Sequence, residues 1–339
     1  MNRISQMMVL MLAVGTSSCA DQAAKDEKAS SSALGAATLH YGCCDASAGV
    51  AVSSNLFLVA NDEDNLLRVY RRDQSGPAMQ GFATGEFLHV DPQRPESDIE
   101  GAARVGDRIY WITSHGRNRQ GEARESRQRF FATTAKVNEQ GRVELRTVGR
   151  PYARLLNDLI ADARLAKFRL GAAALLAPKE PGGLNIEGLC ATPEGELLIG
   201  FRNPIPGDRA LIVPLKNPGE LLEGRPARFG DPVLLDLGGR GVRDLALVGG
   251  RYLIIGGSFE GRGKFHLYSW AGGTNAAQKI SEAKFKGANP EALLSYPGTP
   301  DGEFQIVSDD GTRQIAGEDC KLIKDPARKW FRSFWLRLD

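Results

Sequence analysis

One short segment of this chain occurs several times in variant form. Its clearest copy, residues 185–203, is an apolar strand that opens on Glu187, followed by a turn and a second strand that ends on Arg202. The other copies begin at residues 98, 241 and 289. Because each copy is a hairpin with charged ends, the repetition predicts an all-β fold made of similar antiparallel sheets.

The spacing of the repeats predicts how these sheets assemble. There are five units of roughly 50 residues, each with about four short strands, and this is the period of a β-propeller. The last unit is one strand short, and residues 38–42 form a spare strand before the first unit. We therefore expect five four-stranded blades, with the N-terminal strand completing the last blade so that no sheet edge stays open.

Residues 151–181 differ from the repeats. Leu155, Leu156 and Leu159 recur at helical spacing with polar residues between them, and Pro181 follows. This pattern predicts one or two helices inserted between the second and third blades. The insert joins the outer strand of one blade to the inner strand of the next. It should therefore cover the face on which inner strands begin, as a lid.

The N-terminal region has the pattern of an export signal. Residues 1–19 contain an apolar run followed by Thr16-Ser17-Ser18-Cys19, which is similar to a bacterial lipobox with Cys19 as the acylated residue. Lipoboxes usually carry Leu where Thr16 lies, so plain secretion and an uncleaved tail stay open as alternatives. Residues 20–36 are small and polar and predict a flexible tether. Residues 37–339 would then form a single domain, anchored in the cell envelope through lipid alone, as a periplasmic or outer-membrane lipoprotein.

Export would permit disulfide bonds among the remaining cysteines. Either Cys43 or Cys44 could bond to Cys320 and so staple the closure of the ring; free buried thiols are the alternative. Cys190 falls in a predicted strand and is expected to act as a small hydrophobic residue.

Composition excludes one large class of partner. The chain has 43 Lys and Arg against 41 Asp and Glu, a formal net charge of +2, and no basic run. We therefore expect no nucleic-acid binding. We expect a monomer whose partner is a small anionic ligand or an envelope protein.

Several runs together resemble one bacterial family, the domain of unknown function DUF3616. They are Ser97–Ala103, Ser114–Arg117, Asn185–Leu189, Gly200–Pro204, Arg240–Asp244 and Asn289–Ala292. The resemblance covers about residues 45–338 and implies a propeller-like fold with no settled activity. A more distant similarity is to esterase-like phytase domains. However, the closely spaced aspartates that bind calcium in classical phytases are not evident here.

The propeller geometry predicts a site. Inner-strand starts and second-strand ends open on the same face, so their polar residues should meet at the channel mouth. We expect ligand contacts from Glu100, Arg117, Arg202, Asn203, Arg243, Asp244 and Glu291. We expect Glu100, Glu187, Glu291 and Asp309 to bind Ca²⁺ or Mg²⁺, because these ions prefer oxygen ligands. We expect His115 and Glu187 to act in catalysis.

These residues indicate a metal-dependent hydrolase of a small phosphoester or lactone, with metal-bound water as the nucleophile. A non-catalytic propeller that binds a ligand or an envelope protein is the alternative. A purely structural role for the charges is also open, since buried Glu and Arg residues can simply pair. For His115, the alternative to a catalytic role is that of a hydrogen-bonded residue at the rim of the channel.

Overall fold

The computed structural model describes residues 34–261, 263–280, 285 and 287–338. The predicted signal peptide, Cys19 and most of the predicted tether lie outside these residues. Five antiparallel sheets surround a central channel as the blades of a β-propeller. The predicted all-β, five-bladed fold is therefore confirmed.

The first four blades each contain four strands, and a lone N-terminal strand, β1 (Thr38–Tyr41), precedes them. Blade 1 contains β2 (Ala46–Ala51), β3 (Leu56–Asn61), β4 (Leu66–Arg71) and β6 (Gln80–Ala83), with the short β5 (Gly76–Pro77) before β6. Blade 2 contains β7 (Ile99–Val105), β8 (Arg108–Thr113), β9 (Phe130–Val137) and β10 (Val143–Tyr152). Blade 3 contains β11 (Asn185–Ala191), β12 (Leu197–Asn203), β13 (Ala210–Leu215) and β14 (Val233–Leu235). Blade 4 contains β15 (Gly241–Val248), β16 (Arg251–Gly257), β17 (His266–Trp270) and β18 (Gln278–Ile280).

Blade 5 joins the two ends of the described chain. It contains β19 (Pro290–Leu294), β20 (Glu303–Ser308) and β23 (Trp330–Arg337), and a small hairpin, β21 (Gln314–Ile315) and β22 (Glu318–Asp319), precedes β23. Strand β1 pairs antiparallel with β23, with Thr38 opposite Ser333 and Tyr41 opposite Trp330. The predicted closure by the N-terminal strand is confirmed. The two-residue strand β5 pairs in parallel with the other edge of β1.

A disulfide bond lies next to this closure. Cys44 and Cys320 are bonded across a sequence separation of 276 residues, which selects one of the two pairings that the sequence left open. Cys43 and Cys190 are free and buried. The Cys43 thiol lies 3.7 Å from the hydroxyl of Tyr70.

Helices are short and peripheral. They are α1 (Gly85–Leu88), α2 (Leu155–Ala161), α3 (Leu170–Ala173) and α4 (Pro218–Leu221), with 3₁₀ turns at Glu125–Arg127, Ala166–Phe168, Pro206–Asp208, Cys320–Leu322 and Pro326–Arg328. The predicted insert contains α2 and α3. The apolar side of α2 packs into the core between blades 2 and 3 through Leu155, Leu156 and Leu159. Within the described residues, no helix has the length and apolar character that crossing a membrane requires.

The core lies between neighbouring blades. Trp111 and Phe131 fill the space between blades 1 and 2, and Trp270 is buried between blades 3 and 4. Blades 5 and 1 meet around His40, Phe57 and Phe331. This burial of apolar surface between sheets holds the ring together.

We expect acid to weaken the closure through His40. This residue of β1 is fully buried, its Nε2 lies 2.8 Å from Ser333 Oγ, and burial lowers its pKa to about 3. Because the unfolded chain binds a proton near pH 6.5 and the folded chain does not, the His40 contribution is complete above pH 6.5. It is lost at roughly 1.4 kcal/mol per pH unit as pH falls towards 3.

Chemical unfolding of the wild type and His40→Phe between pH 8 and 4 measures this effect. Above pH 7, the free energies of unfolding of the two proteins should differ by a constant. Below pH 6, the wild type should lose stability relative to the variant as the pH falls. Parallel curves over the whole range would contradict the assignment.

Candidate functional site

The innermost strand of every blade has a β-bulge near its start. The hairpin register shifts between Ala46 and Ala48, Ile99 and Gly101, Ile186 and Gly188, Val242 and Asp244, and Pro290 and Ala292. A bulge adds one residue to the strand and changes the direction of its side chain. The five bulged residues all line the channel mouth, and they are Ser47, Glu100, Glu187, Arg243 and Glu291. The repeated motif therefore encodes a ring of side chains as well as a set of strands.

Other charged residues complete a polar cavity of about 300 Å³ above this ring. Residues that precede the bulges contribute Asp45, Asp98, Asn185 and Asn289, and second-strand ends contribute Asp62, Arg202 and Asp309. Connecting loops contribute Arg119, Arg127 and Lys321, and the insert covers one side with Ala177, Pro178 and Lys179. The cavity thus combines many charges of both signs in a small volume.

One part of the cavity is a chain of ion pairs centred on Glu187. Glu187 Oε1 lies 2.6 Å from Arg202 Nη1, and Glu187 Oε2 lies 3.1 Å from Arg243 Nε. Arg243 also pairs with Glu291 through Nη2. All four side chains are at least nine-tenths buried. Burial, followed by the charge of Arg202, lowers the pKa of Arg243 to about 10, so its guanidinium is still charged at neutral pH. These four residues neutralise one another.

The other part is acidic and is not neutralised in this way. Among the described residues, Asp45, Asp62, Glu100 and Asp309 form no ion pair. Burial raises the pKa of Asp45 to about 7, and the nearby Asp309 adds to the effect. Burial, together with Asp45 and Asp309, raises the pKa of Asp62 well above its ordinary value. The pKa of Glu100 is raised in the same way, by burial and then by Asp98 and Glu187.

The carboxylate oxygens of Asp45, Asp62 and Glu63 lie within 4.8 Å of one another, a spacing that suits one metal ion. Asp62 Oδ1 is buried and has no hydrogen-bond partner among the described residues. Gly311 packs directly against Asp45, and a Cβ at this position would collide with the Asp45 carboxylate. The Gly311 backbone N–H also donates to Asp309 Oδ1 at 2.7 Å. The loop can therefore lie this close to Asp45 only because residue 311 is glycine.

Four of the predicted site residues do not line the cavity. His115 is 2% exposed, its Nδ1 lies 2.8 Å from the carbonyl oxygen of Thr113, and burial lowers its pKa to about 4. Arg117 and Asn203 instead hold the insert, donating to the carbonyl oxygens of Ala174 and of Pro178 and Glu180 respectively. Asp244 is buried and accepts a hydrogen bond from the Leu293 backbone at 2.7 Å.

Sequence reasoning missed Asp45, Ser47, Asp98 and Lys179 as members of the site. The run Asp45-Ala46-Ser47 is the blade 1 counterpart of Asp98-Ile99-Glu100, but serine replaces the charged residue at the bulge. Aligning the five inner strands on their bulge position would have found Asp45, Ser47 and Asp98. Lys179 belongs to the insert and has no counterpart in the repeat.

Fold and site together define a five-bladed β-propeller with a charged cavity at one channel mouth. The chain belongs to the family described as Protein of unknown function (DUF3616), whose model matches residues 45–148 and 131–299. The predicted family resemblance is thus confirmed. No curated protein matches the sequence significantly.

Solved propeller structures are similar to the chain at low sequence identity. Glutaminyl cyclase from Myxococcus xanthus has a TM-score of 0.46 and 12% identity, with 91% of this chain and 97% of that chain covered. A PQQ-bound aldose sugar dehydrogenase from Streptomyces coelicolor has a TM-score of 0.43 and 12% identity, with 90% and 100% covered. A β-1,3-galactosidase of family GH43 has a TM-score of 0.48 and 10% identity, with 91% and 95% covered. None of these similarities bears on the ligand of this chain.

Proposed function

We propose that this protein is a divalent-cation-dependent hydrolase of a small anionic substrate, a phosphoester or a lactone. The observation that carries the proposal is the charge distribution of the channel mouth. Asp45, Asp62, Glu100 and Asp309 are carboxylates without ion pairs among the described residues, and Arg202 and Lys179 lie in the same cavity. A cation and an anion therefore both have suitable ligands there.

The acidic part favours a hard cation. Buried carboxylates that repel one another must bind protons or a metal ion, because unpaired buried charge is costly. Asp45, Asp62 and Glu63 supply oxygen ligands of the kind that Ca²⁺ and Mg²⁺ prefer. In this proposal the cation would bind closer to blade 1 than the sequence suggested. Glu187 and Glu291 are engaged by arginines instead.

The chemistry follows from this arrangement. A bound divalent cation lowers the pKa of a water ligand and polarises an ester oxygen. Glu100 lies near enough to Asp62 to raise the pKa of Asp62, and its own pKa is also raised. In the deprotonated form that a nearby cation favours, Glu100 would be able to accept a proton from that water. The positive groups of the cavity would bind the anionic part of the substrate.

One observation favours a second function, ligand binding without turnover. In the described part of the chain, the cavity lining contains no histidine and no cysteine, and the hydroxyl of Ser47 donates to the carbonyl oxygen of Ile99 at 2.6 Å. A binding propeller would retain the cation and the anion but release the ligand unchanged.

We also propose that the protein is exported and lipid-anchored through Cys19. The Cys44–Cys320 disulfide supports an oxidising compartment. Strand β1 leads from Thr38 to Tyr41 and on to Asp45 at the channel mouth, so Thr38 lies at the end of the blade opposite the cavity. A lipid anchor there would leave the cavity facing away from the membrane. Mass spectrometry of the mature N-terminus tests this, and an unmodified Cys19 would reject it.

Asp62→Asn tests the cation site and should have effects of opposite sign in two buffers. In a chelator, at pH 7.5, the variant should be more stable than the wild type, because asparagine avoids the cost of charging or protonating a carboxyl group whose pKa is raised by burial and by Asp45. With millimolar Mg²⁺ or Ca²⁺ the order should reverse, and calorimetry should show cation affinity reduced by at least about tenfold. Thermal unfolding in the two buffers provides the measurement.

Asp107→Asn is the matched control, because Asp107 is exposed in the turn between β7 and β8. It should behave as the wild type in both buffers. Assays with phosphomonoester, phosphodiester and lactone panels then separate the two functions. Cation-dependent turnover that Asp62→Asn abolishes supports the hydrolase, and cation binding without turnover supports the binding propeller. A wild type whose stability does not respond to either cation would reject both.

A further inference from the structure

One buried guanidinium in the cavity forms hydrogen bonds to described residues with only some of its nitrogens. Arg202 is 5% exposed, its Nη1 donates to Glu187 Oε1 at 2.6 Å and its Nε donates to the carbonyl oxygen of Ser258 at 3.3 Å. Its Nη2 is buried and has no hydrogen-bond partner among the described residues. A buried donor without an acceptor is costly and points to a missing ligand.

A second cationic group lies close to this donor. A Cβ built on Gly261 would be 3.1 Å from Arg202 Nη2 and 3.4 Å from Lys179 Nζ, so the two nitrogens flank one glycine. Both residues and Gly261 line the cavity. Partial burial, followed by the charges of Arg202 and Arg243, lowers the pKa of Lys179, so these positive groups repel one another across this part of the cavity.

We propose that Arg202 Nη2 and Lys179 Nζ form a phosphate subsite that holds the non-reacting phosphate, or the leaving phosphate, of a small organic substrate. The inference deepens the proposed function and rests on it for the reacting end of the substrate. The binding of phosphate itself does not depend on turnover.

The available donors favour phosphate over carboxylate. Arginine normally binds a carboxylate through two parallel hydrogen bonds from adjacent nitrogens. In Arg202, Nε and Nη1 are already engaged, and only Nη2 is free. A tetrahedral phosphate can accept from Nη2 with one oxygen and from the lysine ammonium with another, as lysine binds phosphate as a point charge.

A bound cation should also strengthen phosphate binding at the subsite. Asp45, Asp62, Glu100 and Asp309 line the same cavity and would repel a phosphate. A divalent ion among them removes this repulsion, so cation and phosphate should strengthen each other's binding by the same factor. We expect Mg²⁺ to tighten phosphate binding by about 5-fold or more, within the usual range for such coupling.

Titration of the full chain with inorganic phosphate, with and without Mg²⁺, tests the inference. Lys179→Ala should weaken phosphate binding by at least about tenfold, since it removes one charge-assisted contact. The control is Lys167→Ala, which removes the same charge from the same insert at an exposed position that does not line the cavity. It should stay within about twofold of the wild type. Lys179 is exposed, so its replacement should leave the fold intact, which thermal unfolding checks.

Equal weakening by Lys179→Ala and Lys167→Ala would overturn the subsite, because the effect would then be one of net charge. So would a wild type that binds Mg²⁺ but shows no saturable phosphate binding, and the cation site would then stand alone. Phosphate binding that Lys179→Ala weakens, in a protein that binds no divalent cation, would support the subsite and reject the proposed hydrolase.

Discussion

Glu187→Gln is expected to lower the free energy of unfolding by about 3–5 kcal/mol, the usual cost of removing one partner from a buried ion pair. Glu187 is 2% exposed and is the shared partner of Arg202 and Arg243. Glutamine keeps the volume but leaves two buried guanidinium groups with one fewer negative charge between them. Equilibrium unfolding in guanidinium chloride, with the disulfide intact, measures the change.

Glu196→Gln is the control for this prediction. Glu196 forms an ion pair of similar length, 2.7 Å, with Lys216, but both side chains are partly exposed. Such a surface pair contributes less than about 1 kcal/mol. If the two variants lost equally little stability, the Glu187 network would not be an organising element of the channel.

The same network offers a second check. Arg202→Gln should lower the free energy of unfolding less in the Glu187→Gln background than in the wild type, because the first change has already broken their pair. Additive losses would indicate that the two residues act independently. The result also bears on function, since loss of activity in Glu187→Gln cannot be assigned to catalysis unless the fold is shown to survive.

Removing the disulfide is expected to have an effect of similar size. The Cys44–Cys320 bond closes a loop with a sequence separation of 276 residues, nearly the whole ring. By chain entropy, the double variant Cys44→Ser/Cys320→Ser should lose about 5 kcal/mol, because its unfolded state is no longer constrained. Urea unfolding of the oxidised wild type and the variant measures the difference.

Dithiothreitol supplies an internal control for this second effect. It should lower the stability of the wild type to that of the double variant and leave the variant unchanged. Cys44 precedes Asp45, and Cys320 precedes Lys321, so the bond also ties together two sides of the cavity. A variant as stable as the oxidised wild type would show that β1–β23 pairing alone closes the ring.

The sequence predicted the blade architecture because that architecture depends on local patterns. Five repeat units, a missing last strand and a spare first strand determine the ring and its closure, and each is visible in residue order. The helical insert followed from the spacing of Leu155, Leu156 and Leu159. These features depend on periodicity and on which backbone edges must be paired.

The site was predicted only in part, for a physical reason. The sequence predicted that inner-strand starts and second-strand ends share one face. Six of the residues predicted in this way line the channel mouth: Glu100, Glu187, Arg202, Arg243, Glu291 and Asp309. Which charges neutralise each other was not predictable. Pairing between blades depends on distances of a few ångströms between residues that are far apart in sequence, such as Glu187 and Arg243.

By itself, then, the sequence determined the number of blades, the closure, the insert and the face that carries charge, because these follow from repeated local patterns. Only the tertiary structure decided that His115 is buried away from the cavity and that Glu187 and Glu291 are held by arginines. It alone showed that unpaired acidity gathers around Asp45 and Asp62. The physical reason is that the free energy of a buried charge depends on its neighbours in space, which the order of residues does not specify.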